Sequence, residues 1–180
     1  MLDTARLRRA LAAHLGQTIT PEIAAAIEGA ACLPPAPLPE VSGRGIDASQ
    51  APEHFRFINE RLTAQYSSRD TVLLAHVRGD HIRAVVAYTD FRRWSVEMAV
   101  ATDASGHWLS RSFLRACCAY PFLQLGLRRV TGRVESNNER AMALNEHLGG
   151  RREGVQRQQF GDNDCILFGM LRDECPWIKE

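Results

Sequence analysis

Lysine is nearly absent from this chain of 180 residues: Lys179 stands alone against 21 arginines. Beside the many alanines, that skew reads as coding bias rather than as selection for phosphate binding. An excess of one charge is missing too. The 22 basic residues face 21 acidic ones, for a net charge of +1, so no bulk basic field announces a nucleic-acid partner. No apolar run reaches the roughly 18–20 residues of a membrane span, and the richest, Cys117 to Leu127, contains Pro121 and Gln124. Asp3, Arg6, Arg8 and Arg9 break up any signal-peptide pattern, so a cytoplasmic protein without membrane contact is expected. Five cysteines (Cys32, Cys117, Cys118, Cys165, Cys175) show neither a C-x-x-C pair nor metal-ligand spacing. Reduced thiols are expected, with no disulfide frame and no metal. His76 and His81 bracket a turn, but no third ligand stands near them.

What is present fits one folded domain with an appendage. Apolar residues make up 45% and charged ones 24%, which excludes wholesale disorder. Residues 1–33 read as two short helices: Leu2, Leu7, Leu11 and Leu15 share a face, and Thr20-Pro21-Glu22 starts the second. The proline run Leu33-Pro-Pro-Ala-Pro-Leu-Pro39 cannot be helix, and 34–46 reads as a linker or as a strap on the main domain, 47–180. In that domain Phe55, Ile58, Leu62 and Tyr66 predict a helix over 50–66. Strands follow at 71–78, 82–89 and 94–101, with Gly79-Asp80 as a tight turn. A helix over 107–125 comes next, its end bent or shortened at Pro121. Then come a strand at 130–135, a helix at 138–148 stopped by Gly149-Gly150, and a closing hairpin of 154–160 and 165–171.

This order predicts a mixed α/β sheet, an antiparallel meander plus one right-handed strand–helix–strand crossover that makes 94–101 and 130–135 parallel neighbours. Ligands collect outside the carboxyl ends of such strands. The helix beginning near Gly106 points free N–H groups there, a seat for a pyrophosphate. The turn from Ala101 to Arg111 is therefore the candidate site.

The same order, with Asn138, Ala141 and Leu144 on one helix, then Leu148-Gly149 and Glu153-Gly154, resembles the GNAT family of acetyl-CoA-dependent N-acyltransferases over roughly residues 70–172. The ending Glu174-Cys-Pro-Trp177 also resembles phage- or prophage-encoded members. The resemblance implies acetyl-CoA as co-substrate, an amine acceptor and no metal. It places the general base at Glu97, on the 94–101 strand, against the plain reading of a solvent-facing carboxylate. Backbone N–H groups around Val100 and Ala101 would meet the thioester carbonyl, especially if the strand bulges there. Ser105, Gly106, Ser110 and Arg111 would hold the pyrophosphate, and Asn138 the pantetheine arm beside Ser136, unless Asn138 is only its helix's N-cap. His107 flanks this turn either as a ligand contact or as a surface cap. Tyr88 and Tyr120 are proton donors or core residues. Two positions depart from the family pattern: Gly106 is the only glycine in the phosphate turn, and Asn145 stands where a proton-donating tyrosine is common.

Two other functions fit the same residues. One is a non-catalytic binding module with this fold. The other is a phage enzyme acting on nucleobases, suggested by the seven arginines against four glutamates in 128–157. Acceptor identity and oligomeric state, a homodimer included, stay open.

Overall fold

Three successive apolar segments build the first half of the sheet, two of them buried on both faces at 72–75 and 84–88, and the computed structural model shows how the rest joins it. It describes residues 36–41, 43–106 and 108–179. The chain divides into two compact units after Ala36, and the description below concerns the second. The expected helices in 1–33, the start of the proline run and His107 lie outside the described residues.

Strands β1 (Ile46–Asp47), β2 (Val72–Arg78), β3 (His81–Thr89), β4 (Ser95–Thr102), β5 (Arg129–Glu135), β6 (Arg151–Phe160) and β7 (Asn163–Leu171) form one sheet in the order β1-β2-β3-β4-β5-β7-β6. β4 and β5 are the parallel pair, so the crossover and the mixed sheet are as the sequence predicts. Helix α1 (Pro52–Asn59) covers one face; His54, Phe57 and Ile58 are its buried residues. Phe57 and Ile58 pack on Leu73, Ala75, Val85, Ala87 and Ala101. Helices α2 (Arg111–Ala119) and α3 (Glu139–His147) follow β4 and β5. Tyr88 reaches α2 from β3, and Met142 of α3 packs with Val134 and Phe168.

Two expected helix boundaries change, the expected bend at Pro121 is present, and the strand order adds one feature. α1 ends at Asn59 rather than at residue 66, because the Asn59 amide clamps the Tyr66 backbone: its Nδ2 donates to the Tyr66 carbonyl at 3.0 Å and its Oδ1 accepts the Tyr66 N–H at 2.8 Å. Leu62 and Tyr66 still pack against the α1 core, so the spacing signalled burial but not helix. α2 starts at Arg111 instead of 107, since Ala104 (φ 60°) and Gly106 (φ 73°) are left-handed and Ser110 caps the helix from Phe113 N. At Pro121 the helix loosens into a π turn, Tyr120–Gln124. Proline lacks the N–H that would bond the carbonyl four residues back, that of Cys117, and the Tyr88 hydroxyl donates to this carbonyl at 2.8 Å. Finally, β7 lies between β5 and β6, and a bulge in β6 between Arg152 and Gly154 sets Glu153 outside the ladder. Gly169 of β7 leaves space for that carboxylate, because a Cβ there would overlap it; Arg129 reaches across to bind it.

Two residues of the expected linker, Pro37 and Glu40, hydrogen-bond to the π turn. Tyr120 Oη donates to the Pro37 carbonyl at 2.8 Å, and the Gln124 side chain exchanges hydrogen bonds with the Glu40 backbone. His76, one of the two turn histidines, stacks on Phe113 with ring centroids 4.9 Å apart and bonds the Trp108 carbonyl. Cys117, Cys118, Cys165 and Cys175 are free and buried.

Candidate active site

β4 keeps β5 beside it for three register pairs only, Ser95↔Arg129, Val96↔Val130 and Glu97↔Thr131. From Met98 to Thr102 it pairs with β3 alone, so the two parallel strands part toward their carboxyl ends. The β3–β4 register runs without a shift, and the bulge considered for residues 99–101 is not there. Asp103 N–H donates to the Arg83 carbonyl at 2.9 Å, and antiparallel pairs alternate. The amides of Ala99 and Ala101 therefore turn to β3, while those of Val100 and Thr102 turn to the open edge. Val100 offers a main-chain donor in the opening; Ala101 instead sends its methyl into the core under α1.

The turn beyond β4 is organised by a carboxylate. Asp103 Oδ1 accepts from Ser105 N at 2.9 Å and from Ser105 Oγ at 2.6 Å, and Arg83 Nη1 donates to Oδ2 at 2.8 Å. These donors, the Ser105 hydroxyl first and Arg83 after it, pull the Asp103 carboxyl from its ordinary 3.8 to about 2. The Ser105 amide is thus committed within the turn. Gly106 has nothing within 4 Å of where a Cβ would sit, so its backbone is approachable. Ser110 Oγ caps α2 by accepting from Phe113 N at 3.2 Å, and Arg111 is exposed at the first position of the helix. Asn138 serves as the N-cap of α3, its Oδ1 accepting from Ala141 N at 3.0 Å, so only its amide N–H groups are left for a ligand.

Because a folded carboxyl pKa below the unfolded value stabilises above that value, the turn should hold down to about pH 4 and loosen as the pH falls toward 2. Hydrogen exchange at the Ser105 amide should lose protection in that window, and Asp103→Asn should abolish the step. Unchanged protection down to pH 2 would contradict this role.

Glu97 faces β5. Arg133 Nε donates to its two carboxylate oxygens at 2.9 and 3.0 Å, Arg133 Nη2 adds a third bond at 2.6 Å, and Arg133 Nη1 reaches Gln156 of β6. A carboxylate has about four lone-pair directions, and Arg133 occupies three. Tyr66 is a neighbour that the sequence did not single out: burial raises its phenol pKa, and the charge of Glu97 adds to the shift. Arg133 was also missed, although parallel pairing of Glu97 with Thr131 puts Arg133 on the same face. Asn145 donates to the Ala141 carbonyl of its own helix at 2.9 Å, and its Oδ1 lies over Gly132 of β5. Tyr88 and Tyr120 are fully buried, each hydroxyl bound to a backbone carbonyl, which makes them core residues.

Two pronounced hollows lie away from this opening. One, of about 580 Å³, runs between α1 and the β2–β3 turn past Asp47, His54, Arg61, Asp80 and His81. The other is bordered by Arg157, Gln158 and Asp164. Among the described residues no cluster of three or more His, Cys, Asp or Glu is placed to hold a metal ion, and no helix is long and apolar enough to cross a membrane.

No protein-family model and no curated protein matches the chain. Solved structures do. The spermidine/spermine N-acetyltransferase SpeG from Vibrio cholerae, in complex with manganese ions, is similar at 16% identity with a TM-score of 0.60, over 71% of this chain and 92% of its own. The ribosomal-protein-S5-alanine acetyltransferase from Vibrio fischeri is similar at 17% identity with a TM-score of 0.51, over 59% of this chain and 64% of its own. The fold is that of the GNAT acetyltransferases.

Proposed function

We propose that the protein is an N-acyltransferase that moves an acetyl group from acetyl-CoA to a primary amine. The observation that carries this reading is the parting of β4 and β5, with the Val100 amide on its edge and the capped start of α2 following the same strand end. The shared fold of solved acetyltransferases supports it.

A thioester supplies an acyl carbon whose C–S bond breaks as the amine forms its N–C bond; the C–S electron pair leaves with coenzyme A as a thiolate, which takes a proton from water. The Val100 N–H, already directed at the edge, donates to the oxygen that gains charge. Gly106, the Ser110–Arg111 start of α2 and the Arg111 guanidinium hold the diphosphate, where the helix end and the charge-assisted bonds both favour an anion. Ser105 shapes that turn through Asp103. His107 belongs to the same stretch, and Asn138 turns its amide N–H groups to the carrier arm. Glu97 takes the amine's proton through water by its one free lone-pair direction, while Arg133 fixes its orientation.

Titration calorimetry with acetyl-CoA tests the reading. Binding is expected between about 1 µM and 1 mM, and Arg111→Ala should weaken it about tenfold. No heat at millimolar acetyl-CoA overturns it. A second reading, a binding module without turnover, is favoured by Asn145, which has no acidic proton and is bound to its own helix. It requires acetyl-CoA binding without acetyl transfer to any amine offered.

A further inference from the structure

The end of β4 opposite the opening carries an exposed aromatic ring set among arginines. Trp94 is 47% exposed, and its position is fixed by the start of β5: its carbonyl accepts from Arg128 N at 2.9 Å and from Arg129 N at 3.1 Å. Two guanidiniums lie against the indole, with Arg93 Cζ at 4.9 Å and Arg128 Cζ at 4.5 Å from the ring centroid. Arg172 joins them, its N–H donating to the Arg128 carbonyl at 3.0 Å.

Neighbouring charges are mostly spent on each other. Arg92 pairs with Asp90, Arg129 with Glu153 and Arg151 with Glu174. Among the described residues Arg93, Arg128 and Arg172 have no carboxylate partner, and Asp173 is the one unpaired acidic side chain beside them in sequence. The corner therefore has a local positive excess that the near-neutral net charge of +1 conceals. Six residues along β4 separate it from Val100, about 20 Å, so it is a surface apart from the acyl-transfer opening.

A guanidinium lying over an indole keeps N–H donors free at the ring's rim, and that fork suits a phosphate. The indole is half exposed, and a base can stack on it where one of the two guanidiniums swings off the ring to meet a phosphate. Flat rings alternating with phosphates are what an unpaired strand presents; a duplex hides its base faces, and an acidic peptide brings carboxylates without rings. We infer that the Arg93–Trp94–Arg128 corner, with Arg172, is a docking surface for single-stranded nucleic acid. This holds whether or not the protein transfers acyl groups.

Fluorescence anisotropy of a labelled oligothymidylate of about 12 nucleotides, within the range of single-strand site sizes, tests this on the full chain. Saturable binding at low salt is expected, with log K falling linearly against log salt. The Arg93→Ala, Arg128→Ala double variant should bind roughly tenfold more weakly, with a salt slope shallower by about 1.4. Trp94→Leu should lose roughly tenfold while Trp94→Phe, which keeps a ring, stays close to the parent protein. Arg78→Ala, at the far end of β2, should change nothing. The inference fails if no binding is seen at low salt with about 100 µM protein. It fails equally if Arg78→Ala weakens binding as much as the double variant, or if polyglutamate of equal charge competes as well as the oligonucleotide. Acetyl-CoA titration of the same double variant should be unchanged, which keeps this failure distinct from failure of the acyltransferase reading.

Discussion

Tyr88→Ala should cost about 3–5 kcal/mol of folding stability, the range for emptying a large aromatic site in a core. Tyr88 is fully buried, packs edge-on against Tyr120 with centroids 4.8 Å apart, and donates to the Cys117 carbonyl that Pro121 leaves without its helical donor. The ring thus joins β3 to α2 where α2 cannot complete its own ladder. A domain of this size is typically stable by about 5–15 kcal/mol, so the variant should show a far lower urea midpoint. Tyr88→Phe separates the two contributions: it keeps the ring and should lose only about 1 kcal/mol for the hydrogen bond. A loss below about 1 kcal/mol for the alanine variant would show that α2 is held by other contacts.

Glu97→Gln should lower the acetyl-transfer rate constant about 100-fold, at the low end of what a positioned general base supplies, while leaving acetyl-CoA affinity within about twofold. Glutamine keeps the shape of the side chain and can still accept from Arg133, but it cannot take a proton. The Arg133–Glu97 pair is partly exposed, and such pairs contribute about 0–1 kcal/mol, so the fold should survive and the variant report on chemistry alone. Single-turnover transfer to a screen of amines gives the readout. An unchanged rate would reduce Glu97 to a partner of Arg133 and move attention to Tyr66, whose phenol stays protonated through burial and the nearby carboxylate.

The meander, the crossover and the stop at Gly149 were legible in the sequence because each is written in local periodicity or in a glycine. What escaped was set by partners distant in space. Leu62 and Tyr66 kept helical spacing, yet the Asn59 clamp drew them into a loop. The place of β7 between β5 and β6 depends on pairings across the whole second half of the chain. At the site, the choice between Val100 and Ala101 turns on the parity of one register, which the Asp103–Arg83 bond fixes and alternation within a single strand does not. The Asp103-x-Ser105 turn was not read from the sequence, which assigned Ser105 to the diphosphate; instead an internal carboxylate occupies part of that turn. Arg133 is the clearest lesson: it was one of seven arginines counted in 128–157, with no partner assigned, until the parallel register set it against Glu97.

Only three rungs join the half-sheet β1–β4 to the half-sheet β5–β7–β6, against six between β3 and β4 and seven between β5 and β7. Parallel rungs are also the weaker kind. The molecule therefore has a tear line. Apart from the two-residue edge strand β1, which holds β2 by two rungs, the sheet pulled apart would yield there first, into two pieces each still zipped internally and tethered to the other through α2.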